Sequence, residues 1–541
     1  MTISEFHCGA CGASGAEFAC SRCKVARFCS YECFRSAWKG HKPNCIPAES
    51  TDKASPQTAS APRSHQQRLA MLLRAARQKT ATDAELSELT DCWYKDAWAP
   101  SNPRHGNLFG RMDGDSRAQA TSSRELAGAG GSAVSQNARW IPELCGGSLQ
   151  RVDLRTEVGR KQALHALGRR EPVILSGGAW ELLPASRRWS IEQLQEHLTG
   201  AKPCDVLKAK REKRKYTYYF KDLQDREMPT QALAAEPCNE SLRMNIEQFL
   251  RLARDDSAHS YYLQTSLYAL NQNRNGQQTP YVTSPSLKAE VDEAIRSELW
   301  AEVVHAIGCS TWIRTQLFIG PVGTLGAAHF DQYDNLFLQV RGRKRFLLFD
   351  PRSGARGLYT FPVHHPYDQR SRVDLEAPDK ELFPKLADLY GCGVEAALRP
   401  GDALFIPSHW WHHVESTAGV TAAGNEWCVS VNFWFDAVFP RLQKPISPPC
   451  PLLEVELARQ IEYLVADVFG AADVPAFLEA CLAEASAACA AEPPFDDGPR
   501  LSVQNFVLGH LAKIFGASEV RLFLEDYLHP DRWRGIQNVC F

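Results

Sequence analysis

"AHFDQYDNLFLQVRGRKRFLLFD", residues 328–350, carries the pattern on which the fold turns. It sets His329 and Asp331 two positions apart, runs through an apolar stretch to Val340, makes a short turn around Gly342, and brings Lys344 in on a returning strand. Residues i and i+2 of a strand point to one side, so His329 and Asp331 are placed to reach one ion, and Asn335 continues the parity. An H-x-D pair alone is weak, because a strand-end pair with a surface role has the same spacing. A third ligand separates the two readings. "RPGDALFIPSHWWHHVES", residues 399–416, supplies a candidate: a Pro-Gly turn enters an apolar strand, and Pro407 is followed by Trp410, Trp411, His412 and His413.

Two histidines and one carboxylate form the facial triad that leaves adjacent positions open on Fe(II). A 2-oxo acid fills two of them and O2 the third, and decarboxylation then provides an oxidant for a nearby C–H bond. Lys344 has a place in this scheme, because a buried ammonium pairs with the distal carboxylate of 2-oxoglutarate and orients it.

Short strands with alternating apolar positions dominate residues 312–435, the pattern of a β-sandwich or jelly roll. "EPVILSGGAW" and "LFIGPVGTLGAAHFD" read as strands, and "SIEQLQEHLTG" as a helix capped by Ser190. After Pro440 the period becomes helical. Leu453, Leu457, Ile461, Leu464 and Val468 form one stripe, with further helices expected over Leu501–Phe515 and Glu519–Leu528. The stripe is an apolar face through which a homodimer is expected.

Residues 8–45 are a cysteine-dense module and 46–137 a linker rich in Ala, Ser, Gln and Gly, in which Leu69, Leu72 and Leu73 suggest a short amphipathic helix. The globular domain spans 138–440 and the helical region 441–541. A net charge of −2 gives no electrostatic reason to expect a nucleic-acid binder, and no run of eighteen apolar residues occurs, so no membrane association is expected. Of 18 cysteines, seven lie in the first 45 residues and the rest are scattered singly. That distribution suits a metal module in a reducing compartment, and with no signal-peptide pattern at the N-terminus the expected location is cytoplasmic or nuclear.

The module spells C-x2-C-x8-C-x2-C-x5-C-x3-C-x7-H-x3-C through Cys8, Cys11, Cys20, Cys23, Cys29, Cys33, His41 and Cys45. Eight such ligands imply two Zn(II) ions, whose binding must supply folding free energy that so short a segment cannot draw from a core. His7 is read as an exposed neighbour. The spacing resembles the MYND zinc finger throughout. That resemblance implies interleaved sites, Cys8, Cys11, Cys29 and Cys33 on one zinc and Cys20, Cys23, His41 and Cys45 on the other, and a partner protein bound through a short peptide motif.

Residues 172–440 resemble the JmjC oxygenases, and among them the asparaginyl hydroxylases. The resemblance rests on "YYLQTSL", the opening stretch, "YTFPVHHPYDQRSRVDLEAPD", "GDALFIPSHWWHHVES" and "VNFWF", in that order. It implies a double-stranded β-helix (cupin/JmjC jelly roll) with His329, Asp331 and His412 as iron ligands. Lys344 and Tyr262 would contact 2-oxoglutarate, with Asn335 and Asn432 beside it, and Gln264 and Trp434 would line the substrate side. His413, of opposite parity, is expected to be a satisfied structural histidine, and His364 and His365 loop residues. The chain departs from the family twice. Gly326 stands where a Thr or Ser hydroxyl is usual, leaving Thr324 as the nearest replacement, and Gln369–Arg370 reverses the usual Arg-Gln order of substrate contacts. The expected function is an Fe(II)-, 2-oxoglutarate- and O2-dependent protein hydroxylase acting on a side-chain β-carbon. Lysine demethylation and a non-catalytic MYND/cupin adaptor are the alternatives.

Overall fold

The computed structural model describes residues 138–219, 236–272, 278–308, 312–363, 365–417, 427–436, 451–486 and 498–534, with residues 18–19, 27–28, 82, 84–85, 88 and 536. The chain divides into two compact units, Met1–Ser64 and His65–Phe541. In the first, β1 (Phe18–Ala19) pairs antiparallel with β2 (Arg27–Phe28). The eight candidate zinc ligands and the linker helix around Leu69, Leu72 and Leu73 lie outside the described residues.

The second unit is built on two sheets. The larger runs β4 (Arg151–Asp153), β5 (Val173–Ser176), β16 (Ala403–Ile406), β13 (Tyr333–Arg341), β18 (Trp427–Asp436), β11 (Trp312–Pro321), β9 (His259–Gln272), β6 (Cys204–Lys210) and β8 (Glu240–Met244), with β10 (Gln278–Val282) also on β9. The smaller runs β3 (Cys145–Ser148), β15 (Gly393–Leu398), β14 (Arg343–Phe349), β17 (Trp411–Thr417), β12 (Leu325–His329) and β7 (Lys215–Tyr216). Phe337 of the large sheet meets Phe346 of the small one edge-on at 4.9 Å, so the two sheets face each other as a double-stranded β-helix.

Strand parity accounts for the packing. On β13, Asn335 and Phe337 point between the sheets, while Leu336, Leu338 and Val340 join the outer core. On β14, Phe346 and Leu348 point inward, while Leu347 and Phe349 pack with Trp411 on the far side. Both strands are buried on both faces, which is why they read as continuous apolar runs. They are nevertheless not partners. β13 pairs with β16 and β18, and β14 with β15 and β17, so the chain changes sheets at Gly342. Gly342 has φ +67°, and a Cβ there would lie 2.6 Å from Cys428 Sγ, so only glycine makes the crossing.

Helices α1 (Glu157–Gly168), α2 (Ile191–Leu198), α3 (Ile246–Asp255), α4 (Pro285–Ala294) and α5 (Glu298–Ile307) cover the outer face of the large sheet. Each opens on a side-chain cap: Thr156, Ser190, Asn245, Ser284 and Ser297 all accept a hydrogen bond from the third backbone N–H of their helix.

The C-terminal helices are α6 (Pro451–Phe469), α7 (Val474–Ser486), α8 (Gly498–Phe515) and α9 (Val520–Tyr527). Leu457, Ile461, Leu464 and Val468 of α6 pack against Phe477 and Leu478 of α7, Val507 and Leu511 of α8 and Leu524 of α9. Four of the five residues of the stripe expected to support a homodimer are thus consumed inside the chain, which removes most of the face on which that expectation rested, and the side chain of Leu453 lies outside the described residues. The other side of α6 is buried and charged, and it faces the β-helix. Among the described residues no helix is long and apolar enough to cross a membrane.

Candidate metal centre and its cavity

The small sheet brings the histidines together. β12 and β17 are antiparallel, and His329 stands opposite His412 after a register shift that marks a bulge beyond Gly326. The ring centroids are 4.1 Å apart, and one ligand atom from each of His329, Asp331 and His412 falls within 4.8 Å of the others. Asp331 is not on the strand, as the i, i+2 argument required, because β12 ends at His329. Its carboxylate is aimed by the turn that follows, whose Phe330 N–H donates to Gln369 O and whose Asp331 carbonyl accepts from His409 N at 2.7 Å.

The protonation pattern suits a cation. His329 Nδ1 lies 2.7 Å from Ala327 O and His412 Nδ1 3.0 Å from Trp410 O. A carbonyl only accepts, so each Nδ1 carries the proton and each Nε2 presents a lone pair. Burial is the main cause holding both imidazoles below their ordinary pKa, well below for His329, where the neighbouring His412 adds to it. Trp434 Nε1 donates to Asp331 Oδ2 at 3.2 Å, and the same oxygen lies 3.9 Å from His412 Nε2. Two neutral imidazoles and one carboxylate on adjacent positions are the donor set of an Fe(II) facial triad, so the residues fit that ion.

His413 points to the other side of β17, as its parity requires, and meets Trp140 edge-on at 5.9 Å. It is not satisfied, however: neither ring nitrogen has a hydrogen-bond partner among the described residues. Burial, reinforced by Lys215, pushes its pKa down to about 3, so it sits neutral in a wall of apolar and cationic groups. His365 accepts from Tyr367 N and stacks on Phe361, a loop role. His364 lies outside the described residues.

The triad opens on a cavity of about 460 Å³. The residues expected to contact cosubstrate or substrate all line it: Lys344, Tyr262, Asn335, Asn432 and Thr324, together with Gln264, Gln369, Arg370 and Trp434. Lys344 reaches across from the small sheet, and its Nζ donates to Tyr262 Oη and Ser430 Oγ, both at 3.1 Å. It is 3 % exposed, lies 5.0 Å from the Phe337 ring centroid, and pairs with no carboxylate among the described residues. Burial pulls its pKa down to about 8. Burial also raises the Tyr262 phenol, which keeps its proton. One ammonium N–H and the phenol O–H thus remain for an incoming carboxylate. Asn335 Oδ1 and Asn432 Oδ1 are buried acceptors without partners, a further sign that the cavity is shaped for a polar occupant.

Thr324 does not replace the missing hydroxyl at Gly326. Its Oγ1 donates to Pro321 O at 2.6 Å, so its proton is already committed. Sequence reasoning missed Ser430, yet Ser430, Asn432 and Trp434 alternate along β18 and the parity could have found it. Arg314 and Gln316 of β11 and Ser416 of β17 also line the cavity, each in register with a residue already identified.

A family profile described as the cupin-like domain matches residues 162–441, just over half of the chain, and one described as the MYND finger matches residues 8–45. The chain belongs to the cupin-like family, in its JmjC class, and carries an N-terminal MYND finger. Human HSPB1-associated protein 1 is 38 % identical over 115 residues, which cover 20 % of this chain and 22 % of that protein. Lysine-specific demethylase JMJ31 of Arabidopsis thaliana is 34 % identical over 111 residues, 20 % of this chain and 19 % of the relative. Jumonji C domain-containing protein 5 of Drosophila melanogaster is 33 % identical over 124 residues, 22 % and 27 % of the two chains. The chain thus spans roughly a fifth to a quarter of the length of these relatives.

Proposed function

We propose that this chain is an Fe(II)- and 2-oxoglutarate-dependent protein hydroxylase, with a zinc-loaded MYND finger that recruits a partner by a short peptide motif. The observation that carries the reading is a two-ended cavity chemistry: neutral His329 and His412 with Asp331 in one part, and in another an ammonium, Lys344, that lacks an anion. When bound, Fe(II) with 2-oxoglutarate and O2 supplies the oxidation of a substrate C–H bond. The chain's own part is positioning. Lys344 and Tyr262 hold the distal carboxylate of the cosubstrate, the backbone carbonyls of Ala327 and Trp410 keep the imidazole tautomers, and Trp434 holds Asp331 in orientation.

Hydroxylation of a neutral or acidic side chain is favoured over demethylation by the charges around the cavity. With Lys344 assigned to the cosubstrate and Asp331 to the centre, the charged side chains left among the described lining residues are Arg314 and Arg370. A methylated lysine brings a cation into that field, whereas an asparagine amide or an acid does not. The demethylase name of the Arabidopsis thaliana relative supports the second reading, removal of an N-methyl group as formaldehyde. The eleven cysteines outside the N-terminal module are scattered singly along the sequence, which supports a reducing location, cytoplasmic or nuclear. The deciding experiment incubates purified protein with a peptide library, Fe(II) and 2-oxoglutarate. Cosubstrate-dependent +16 Da products without formaldehyde are expected. Formaldehyde release would favour demethylation, and absence of succinate would leave the adaptor.

A further inference from the structure

The charged face of α6 reaches the turns that carry the candidate ligands. Glu456 Oε2 lies 3.0 Å from His409 Nε2, and each side chain is 1 % exposed. His409 is in turn the residue whose backbone N–H donates to the carbonyl of Asp331, and it lies within the Pro407–Trp410 turn that leads into His412. Its φ is +65°, a left-handed conformation that costs a non-glycine residue about 1 kcal/mol or more and needs a fixed side chain to persist. The His409 ring stacks at 20° on Phe330, which stands between His329 and Asp331. The same carboxylate also accepts from Gln332, the residue after Asp331, at 3.4 Å, and from Gln460 at 2.8 Å. One turn further along α6, Arg459 makes a two-pronged pair with Asp368 at 2.7 and 2.8 Å, and Asp368 caps the N–H of Gln369.

We infer that α6 is a positioning element of the metal centre, in which Glu456, acting through His409, holds the turn bearing Asp331 in the geometry that lets it share an ion with His329 and His412. The inference rests on the metal-site reading above. Its physical ground is that Asp331 lies beyond the end of β12 and has no strand ladder to fix it. Trp434 of β18 fixes one carboxylate oxygen of Asp331, but the backbone of the turn has no ladder to hold it, and Glu456 is a buried acceptor that reaches this turn from a segment remote in sequence. Arg459 does the same for the Gln369–Arg370 edge of the cavity.

The test is Mn(II) binding by calorimetry to the zinc-replete full chain without 2-oxoglutarate, with His412→Ala defining the background. Glu456→Leu should bind about tenfold more weakly, the scale at which partners behind a ligand act. Glu456→Gln, whose amide oxygen still accepts from His409, should stay within about twofold of the parent if that bond is what matters. Leu511→Ala, which loosens the helical core but leaves Glu456 in place, should lower thermal stability without changing Mn(II) affinity. If Glu456→Leu does not fold, Glu456→Asp, one methylene too short, takes its place and should fall below the Gln variant. Equal affinity in parent and Leu variant, or an equal loss in Leu511→Ala, overturns the inference alone. A parent protein that takes up no Mn(II) above the His412→Ala background overturns the metal-site reading and the inference with it.

Discussion

Replacing Lys344 with Met should raise stability and strongly weaken cosubstrate binding in one substitution. In the protein without 2-oxoglutarate, burial lowers the ammonium from an ordinary 10.5 to about 8, which corresponds to an unfavourable contribution of about 3 kcal/mol to folding at neutral pH. The loss of hydrogen bonds to Tyr262 and Ser430 reduces that gain, so the expected stabilisation is about 1–2 kcal/mol. The sign with pH is fixed by the same shift. Between about 8 and 10.5 the unfolded chain still holds the proton that the folded chain has released, so the stability of the parent rises with pH across that window and the Met variant lacks this rise. Binding runs the other way. The cosubstrate carboxylate needs the ammonium, and removing one member of a buried charge pair costs about 2–5 kcal/mol, or roughly 30-fold to 5,000-fold in affinity. In the parent, affinity should fall about tenfold per pH unit above about 8. Chemical denaturation at pH 7 and pH 10 and calorimetric titration of 2-oxoglutarate into Mn(II)-loaded protein measure the two effects. A variant that binds 2-oxoglutarate normally, or that loses more than about 2 kcal/mol of stability, would refute the reasoning: the first moves the anion site elsewhere, and the second means that Lys344 is already satisfied in the free protein.

Gly326→Ser restores a hydroxyl on the cavity wall, and its Cβ would lie an ordinary 3.7 Å from Val414 Cβ. One charge-assisted hydrogen bond, about 1.5 kcal/mol, should lower the KM for 2-oxoglutarate roughly tenfold, and an unchanged or higher KM in steady-state assays would count against it. His41→Ala should reduce the zinc content found by elemental analysis below the two ions expected for the parent, yet leave modification of a short peptide unchanged, because a long segment rich in Ala, Ser, Gln and Gly is expected to transmit recruitment rather than shape. Slower modification of the short peptide would make the finger a structural part of the oxygenase.

The legible part of this molecule was local. His329, His412 and Lys344 were readable because each sits in a short motif whose strand parity aims it, and the cap at Ser190 because N-caps act within one turn. Asp331 was identified for an incomplete reason: the spacing was right, but the strand stops before it and a bulge with a turn completes the aim. The apolar stripe of α6 was seen and misassigned, because periodicity shows that a face will be buried and not by what. The charged face on the other side of the same helix was passed over, since Glu456, Arg459 and Glu462 read as ordinary solvated residues until Asp368, His409 and Arg532 are found against them.

By itself the sequence determined the jelly-roll class, the cysteine module and the His-Asp-His donor set, because residue type and period act over a few positions along the chain. Tertiary structure alone decided that β13 and β14 belong to different sheets, that Lys344 meets Tyr262 and Ser430 from across the interior, and that α6 closes on the turns that carry Asp331 and His409. These pairings join residues 82, 86 and 47 positions apart, and no local preference encodes which distant surface a buried group will meet.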